Sequence, residues 1–248
     1  MRKLFLTAAL AALAACNAGA RNNEGGQRGS AGSGSAAASR DFQVGPFDRI
    51  NLTGAANVVV TVGGQPSVRA EGDSELIARL EIAVVDGELR IGMREGNWIR
   101  NRGSVTVRVA APGLQAAALA GAGDMNIDRV QGQTFSATIG GAGDLDIGQL
   151  RVGNASFTLS GAGNVRAIGG AQQANATLGG VGNLDLERFE VADATVALSG
   201  AGSIELRATG TAQVRLSGVG NVEIEGGARC TVSRSGVGRV RCGGADVS

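Results

Sequence analysis

The chain has 248 residues, of which 42 are glycine and 3% are aromatic, and it contains no histidine and no tyrosine. Its 23 basic and 22 acidic residues give a net charge of +1, too weak a basic excess for binding along a nucleic-acid backbone. Histidine is the commonest metal ligand and general base in proteins, so its absence excludes Ser–His and Cys–His catalysis and most zinc sites. The composition predicts no cofactor, no metal site and no nucleic-acid partner.

The first residues, MRKLFLTAALAALAAC, have the pattern of a secretory signal: two basic residues, then an apolar run at 4–13 that is too short to cross a bilayer. Residues 13–16, LAAC, resemble a bacterial lipobox. That resemblance implies removal of a signal peptide, 1–15, and acylation of Cys16, which would anchor the protein to a membrane. Asn17 stands where inner-membrane lipoproteins carry aspartate, so the resemblance implies the outer membrane. An ordinary signal peptide with an incidental cysteine is the alternative.

Residues 16–40 contain Gly, Ser, Ala, Asn and a few Arg, which predicts a flexible tether between the lipid anchor and the folded part. Residues 41–114 then contain strand-like runs at 66–70, 80–85, 88–93 and 104–110. Asp86-Gly87, between two of these runs, is typical of a tight turn.

A polar, arginine-rich loop at 94–103 holds the single tryptophan. Exposed tryptophan and arginine favour interfaces, so we consider Trp98, Arg94, Arg100 and Arg102 a possible partner contact. A tryptophan that packs as a cap over the core is the alternative interpretation.

From residue 119 onward a motif recurs: Leu-x-Gly-[Ala/Val]-Gly-[Asp/Asn]-apolar-x-[Ile/Leu]. Its leading glycines are residues 121, 141, 161, 180, 200, 218 and 236, at spacings of 18–20. Apolar residues alternate on both sides of each Gly-x-Gly, which predicts a strand, a tight bend and a second strand. We expect the small apolar residue in the middle of each bend to point inward. The flanking glycines are expected to permit positive φ or close stacking of backbone.

A unit of this length cannot bury its own apolar face, so it must stack on its neighbours. The sequence therefore predicts an all-β protein, a parallel β-solenoid whose coils lie about 4.8 Å apart. Apolar residues in the spacer after each second strand predict a short third side. We assign regular coils to 115–248 and irregular coils to 41–114, where residues 50–60 fit the motif with Ala56 in place of the second glycine.

Four features together resemble the "head GIN domain" family: FDRI at 47–50, EGDSELIARLEIAVVDGELRI at 71–91, Pro112-x-Leu114, and the ladder of Gly-x-Gly-Asp/Asn motifs. The resemblance extends over about residues 42–247. It implies a right-handed parallel β-helix that serves as the head of an auto-transporter adhesin. The family brings no catalytic residues to carry over.

The residue after each Gly-x-Gly is polar and would stack from coil to coil. This ladder consists of Asn57, Asp124, Asp144, Asn164, Asn183, Ser203 and Asn221, followed by Arg239. It could bind cations or polar ligands, but turn chemistry and hydrogen bonds between stacked amides are the favoured explanation. GGAGDLD at 140–146 also resembles a calcium-binding nonapeptide repeat, which we disfavour because the period is near 20 rather than nine.

A second set of side chains lies two residues further along and includes acidic groups interrupted by Arg166. These carboxylates are Asp146, Asp185, Glu205 and Glu223. A carboxylate pair is what a glycosidase needs, and polysaccharide-lyase-like enzymes share the solenoid fold. A flat, solvated, mixed-charge face is the favoured interpretation, because no long loop is available to build a cleft.

Cys230 and Cys242 lie six residues before and six after Gly236, at positions that are inward in the preceding coil. They would oppose each other across the core, and an oxidising envelope predicts a disulfide that closes the last coil. Two buried free thiols are the alternative. Arg234 takes an inward leucine position, which predicts that the stack ends there.

The sequence therefore predicts a non-enzymatic cell-envelope lipoprotein, whose solenoid serves adhesion, partner binding or a structural role. A polysaccharide-lyase-like or glycosidase-like β-helix enzyme is the alternative. The partner would be an unidentified protein or glycan. Because the ends of a solenoid are β-edges, end-to-end self-association is a further possibility.

Overall fold

The computed structural model describes residues 37–94 and 103–246, and the structural statements below refer to these residues. They form one sheet of eighteen strands, wound into stacked coils, together with a single short helix. The predicted all-β parallel solenoid is confirmed. No helix in this part of the chain is long and apolar enough to span a membrane.

The elements before the regular coils are β1 (Ala37–Phe42), β2 (Arg49–Leu52), β3 (Asn57–Val62), β4 (Ser67–Asp73), α1 (Ser74–Arg79), β5 (Leu80–Val85), β6 (Glu88–Met93) and β7 (Val105–Ala111). The regular coils contain β8 (Ala116–Leu119), β9 (Met125–Ile127), β10 (Val130–Ile139), β11 (Leu145–Leu159), β12 (Ala162–Leu178), β13 (Val181–Leu198) and β14 (Ala201–Leu216). The chain ends with β15 (Val219–Glu225), β16 (Arg229–Arg234), β17 (Val237–Cys242) and β18 (Ala245–Asp246).

The regular coils stack in parallel with matching residues in register. Leu159 pairs with Leu178, which pairs with Leu198, so the leucine before each bend forms an inward column that is completely buried. β11 to β14 are long because they continue around the corners. The spacer forms a third side, where Val130 pairs with Leu150. Inside the coils, Phe157 packs edge-on against Phe189 with ring centres 5.4 Å apart.

The residue in the middle of each Gly-x-Gly bend points outward, and the expectation that it would point inward is wrong. Val181, Val219 and Val237 are 61%, 59% and 72% exposed. The middle residue lies at the apex of the corner, where the two glycines turn the chain, and the leucine column already fills the inner side. The bends therefore present a narrow ridge of alanine and valine to solvent.

The two glycines of a bend have different reasons to be glycine. A Cβ on the first, such as Gly141, would overlap with the carbonyl oxygen of Gly121 in the next coil. The second, such as Gly182, makes a similarly close approach and also has a φ of +143°, which side chains rarely adopt. Both expected explanations therefore apply: close backbone stacking at both glycines, and positive φ at the second.

Stacking order and chain order differ in the N-terminal region. The coil formed by β2 and β3 lies between the β8–β9 coil and the β6–β7 coil. On one side Leu52 pairs with Leu119, and on the other it pairs with Ile91. An early segment of the chain is thus enclosed between two later ones.

The N-terminal end of the stack is closed by antiparallel strands and by α1. β4 pairs with β7, β1 pairs with β4, and β5 pairs with β6. The carboxylate of Asp73 caps α1 by accepting from the backbone N–H of Glu75 at 2.8 Å, and Ile77 on the helix is buried. The sequence pattern did not predict this helix.

The start of β1 and the turn between β5 and β6 can both be compared with the sequence predictions. β1 begins at Ala37, so residues 37–40, assigned to the tether, belong to a strand. The predicted tight turn between β5 and β6 is present, since Asp86 and Gly87 both have positive φ, at 51° and 76°.

The C-terminal end is closed differently. β16 pairs with β14, β17 pairs with β15, and β18 pairs with the last two residues of β17. Cys230 and Cys242 form the predicted disulfide, with their Cα atoms 6.4 Å apart. Arg234 is in register with Leu216 but is exposed, and its guanidinium donates to the carbonyl oxygen of Gly238 at 3.1 Å.

Candidate functional site

The strands that follow the bends present two parallel rows of side chains to solvent. We call the row directly after each Gly-x-Gly the polar ladder, and the row two residues later the charged ladder. Because side chains alternate along a strand, both rows lie on the same outward face. The polar ladder contains the predicted residues Asn57, Asp124, Asp144, Asn164, Asn183, Ser203 and Asn221, and ends at Arg239.

The polar ladder is linked by hydrogen bonds from coil to coil. The backbone N–H of Asp144 donates to the carboxylate of Asp124 at 3.0 Å. The backbone N–H and the side-chain amide of Asn164 both donate to Asp144 Oδ1 at 2.9 Å. The amide of Asn183 then donates to Asn164 Oδ1 at 2.9 Å. These bonds satisfy backbone groups at the corners, while the remaining side-chain groups face water.

The charged ladder mixes ion pairs with a run of like charges. Arg166 lies between Asp146 and Asp185 and contacts them at 3.1 Å and 2.8 Å. The hydrogen bond with Asp185 raises the pKa of Arg166. Beyond it, three carboxylates follow one another in register: Asp185, Glu205 and Glu223.

Glu187 joins this run from outside the regular pattern. The register between β13 and β14 shifts after Leu186, so that Glu190 is the next residue to pair, and Glu187 lies in the irregular segment between them. Carboxylate oxygens of Asp185, Glu187 and Glu205 come within 4.8 Å of one another. Of the described residues, these three have the spacing that a cation could share.

This crowding changes the protonation of Glu205. Partial burial raises its pKa, and a hydrogen bond and repulsion from Glu187, with repulsion from Asp185 and Glu223, raise it further. Glu205 therefore holds a proton more tightly than an ordinary glutamate, and Glu187 accepts the resulting hydrogen bond.

A small cavity lies where the two ladders meet the last coil. It has a volume of about 170 Å³, and its polar lining comprises Ser203, Glu205, Asn221, Glu223, Arg239 and Arg241. We call it the end pocket. Arg241 contacts Glu223 at 3.7 Å and Asp246 at 3.4 Å.

The other predicted site residues lie elsewhere or outside the described part of the chain. Cys16, Trp98, Arg100 and Arg102 fall outside it. Arg94 contacts Glu81 at 3.0 Å at the N-terminal end, so it is not part of the ladder face.

The repeat pattern predicts the two ladders but not the roles of Glu187 and Arg239. Glu187 has no place in the repeat pattern, and only the register shift brings it to Glu205. Arg239 was visible as the residue that breaks the polar ladder, yet only the structure shows that it borders a cavity. Chemically, the face offers rows of donors and acceptors, a carboxyl group with a raised pKa and arginines at one end.

This chain is similar in sequence and in fold to proteins already known. A family model described as "Putative auto-transporter adhesin, head GIN domain" matches residues 46–228, which is more than half of the chain. No curated protein matches significantly.

Among solved structures, a "putative adhesin" from Bacteroides fragilis is 24% identical with a TM-score of 0.79, over 83% of this chain and 96% of that one. A "putative lipid binding protein" from Parabacteroides distasonis is 16% identical with a TM-score of 0.66, over 84% and 97% of the two chains. A "putative adhesin" from Parabacteroides merdae is 15% identical with a TM-score of 0.65, over 85% and 97%. At these identities the likeness establishes a shared fold.

Proposed function

We propose, from the premise that this chain belongs to the head GIN domain family, that its solenoid is the partner-binding head of a non-enzymatic cell-envelope lipoprotein. The family description names an adhesin, which supports adhesion and a location at the envelope or cell surface. In this proposal Cys16 carries the lipid anchor, residues 17–36 act as a spacer, and the outer membrane is the site of attachment. The partner is a protein or a glycan.

One observation carries the binding role: the flat face of two aligned ladders, which repeats polar groups at the spacing of the coils. Repeating groups suit a partner with its own repeat, because many weak contacts then add up through effective concentration. Polar side chains already fixed by hydrogen bonds, as between Asn164 and Asp144, lose little further freedom on binding.

The binding role is tested with the mature acylated chain in detergent, applied to arrays of bacterial and host glycans and to envelope extracts. We expect saturable binding that weakens when Asn164 and Asn183 in the polar ladder are both changed to Ala. The matched control is Gln213→Ala and Thr231→Ala, two outward positions on another side of the same solenoid. Absence of binding to every array and extract would leave a structural spacer as the better interpretation.

The anchor is tested separately by metabolic labelling with a fatty acid. We expect the wild type to be labelled and to fractionate with outer membranes, and Cys16→Ala to be unlabelled and released. Label that persists in the Cys16→Ala variant would contradict the proposed anchor.

The Trp98 loop is proposed as a second contact, with Arg94, Arg100 and Arg102. Deleting residues 95–102 should reduce partner binding while leaving the melting temperature of the solenoid unchanged. A deletion that lowers the melting temperature without affecting binding would favour a packing role for the tryptophan.

Self-association through the ends is also proposed, because the outer edge of β16 carries no strand among the described residues. Sedimentation of the mature chain over a range of concentrations should reveal end-to-end oligomers. A monomer at every concentration would contradict this.

An enzyme of the polysaccharide-lyase or glycosidase type is the second candidate, favoured by one observation. Glu205 lies next to Glu187, and burial and the neighbouring carboxylate raise its pKa, as expected of the acid in an acid–base pair of carboxyl groups. Incubation with acidic and neutral polysaccharides should give no new reducing ends or unsaturated products. Turnover that disappears in Glu205→Gln would instead establish the enzyme.

A further inference from the structure

The last coil breaks both ladders at the same place. Arg239 is in register with Asn221 of the polar ladder, and Arg241 is in register with Glu223 of the charged ladder. Two arginines thus follow a stretch of amide, hydroxyl and carboxyl groups, and the end pocket lies at this junction. We propose that the end pocket binds an acidic sugar residue of an anionic glycan, with Arg239 holding the sugar carboxylate.

The balance of charge in the pocket identifies the anchoring group. Arg241 is already compensated by Glu223 and Asp246, at 3.7 Å and 3.4 Å. The guanidinium group of Arg239 makes no ion pair or hydrogen bond with any described residue, and Arg239 is exposed. A guanidinium group presents a planar set of donors that matches a carboxylate in a two-point contact. Arg239 is therefore the guanidinium group lining this pocket that remains available to a carboxylate of a ligand.

The remaining lining suits hydroxyl groups. Ser203 offers a hydroxyl, and Asn221 offers both a donor and an acceptor. Glu205 retains its proton more readily than an ordinary glutamate, since burial and neighbouring carboxylates raise its pKa, so it repels an anion less than a free carboxylate would. One carboxylate and several hydroxyls on a compact ring are the functional groups of a uronic acid.

The dimensions of the pocket limit the ligand to one unit. A volume of about 170 Å³ is well below the roughly 300–1,000 Å³ of sites for drug-sized ligands. The polar ladder leads away from the pocket along the solenoid, so further sugar units of a chain would lie along Asn183 and Asn164. This inference rests on the proposed binding role and names a ligand class for the same face.

The test is a nuclear magnetic resonance titration of the mature chain in detergent, with glucuronate as probe and glucose as its neutral match. We expect glucuronate to shift the backbone amides of residues 203, 221 and 239, and glucose to bind at least about tenfold more weakly. Arg239→Asn restores the residue found one coil earlier, so it should preserve the fold and weaken glucuronate binding about tenfold or more. The control is Arg215→Ser, on another side of the solenoid, which introduces the residue found at the matching position, Ser233, of the next coil. It should bind glucuronate as the wild type does.

Several outcomes would overturn the proposal. Equal affinity for glucose, unchanged binding by Arg239→Asn, or shifts confined to residues far from the last coil would each do so. Inorganic phosphate that binds as tightly as glucuronate would show a simple anion site instead.

The titration also separates this inference from the proposed function. Glucuronate binding by a chain that adheres to no array or extract would support the pocket and contradict the adhesin. Adhesion that Arg239→Asn leaves intact, with no glucuronate binding, would support the adhesin and contradict the pocket.

Discussion

The two ends of the solenoid solve the same problem by different means. At the N-terminal end, the antiparallel strands β1, β4 and β5 and the helix α1 cover the coil formed by β6 and β7. Ile77 of α1 is buried there. At the C-terminal end, β18 is only two residues long, and a disulfide joins the two strands of the final coil. The N-terminal end is closed by burying apolar surface. The C-terminal end is closed by the disulfide, and Arg234 there faces solvent.

Charges differ between the ends in a related way. At the N-terminal end several carboxylates have arginine partners, and a hydrogen bond from Arg108 lowers the pKa of Glu71. Toward the C-terminal end carboxylates stack on one another, and the pKa of Glu205 is raised. A regular repeat places like residues next to each other, so carboxylates stack except where an arginine such as Arg166 or Arg241 interrupts the row.

The largest effect should come from a change between the two ends. Gly182→Ala places a side chain on backbone with a φ of +143° and drives its Cβ into the carbonyl oxygen of Gly163. We expect a loss of about 3 kcal/mol or more, which corresponds to a fall of roughly 6–12 °C in melting temperature. Gly132→Ala, where a Cβ meets no atom within 4 Å, is the control and should melt like the wild type. Equal melting temperatures for the two variants would contradict the stacking argument.

Opening the N-terminal end should have the next largest effect. Ile77→Ala removes the buried side chain of α1 and should cost about 2–4 kcal/mol in the free energy of unfolding. Hydrogen exchange should accelerate in β4 and β5 and remain slow in β12 and β13, since coils contact only their neighbours. The exposed Arg79→Ala on the same helix is the control. Uniform acceleration across all coils would show that the end does not behave as a separate unit.

Removing the covalent closure should loosen the other end. The double change of Cys230 and Cys242 to Ala should cost about 2–3 kcal/mol and accelerate exchange in β16 and β17. A reducing agent should produce the same acceleration in the wild type and none in the variant. If the wild type is indifferent to reduction, the disulfide is not what holds this end.

The smallest effect concerns the stacked carboxylates. The pKa of Glu205 is higher in the folded chain than its ordinary value of 4.5, so the stabilisation from its proton is complete below that value and is lost as pH rises through the folded pKa. Glu205→Gln keeps a donor for Glu187 and cannot ionise. It should therefore raise the melting temperature slightly at alkaline pH and flatten its dependence on pH.

Glu225→Gln serves as the comparison, because Glu225 pairs with Arg207 and its loss removes an attraction. Glu225→Gln should not raise the melting temperature at any pH. A higher melting temperature in both variants would show an effect of reduced overall charge rather than of the carboxylate cluster.

The sequence predicted the parts of the fold that depend on the repeat. The strand–bend–strand unit, the glycine positions and the opposition of Cys230 and Cys242 all follow from a fixed spacing of matching residues. The orientation of the middle residue was missed, because an alanine or valine at an exposed corner looks like a core residue. The helix α1 was missed because six residues are too few to display a helical period, and only the open end of the stack explains it.

Of the candidate site, the sequence predicted only the polar ladder and the charged ladder. That Glu187 meets Glu205 depends on a local register shift, and that Arg239 borders a cavity depends on where the stack ends. Both features are exceptions to the repeat, and the regular copies of the repeat do not predict its exceptions.

The enclosed position of the β2–β3 coil has a consequence for how the chain folds. β2 and β3 need β6, β7, β8 and β9 as neighbours, so they remain unpaired on both sides until residues far along the chain are present. The later coils pair with segments only 18–20 residues away, and contacts between near neighbours in sequence form faster. We therefore expect folding to begin in the regular coils and to proceed toward the N terminus. A chain that emerges from a membrane N terminus first would then stay unfolded until most of it has crossed.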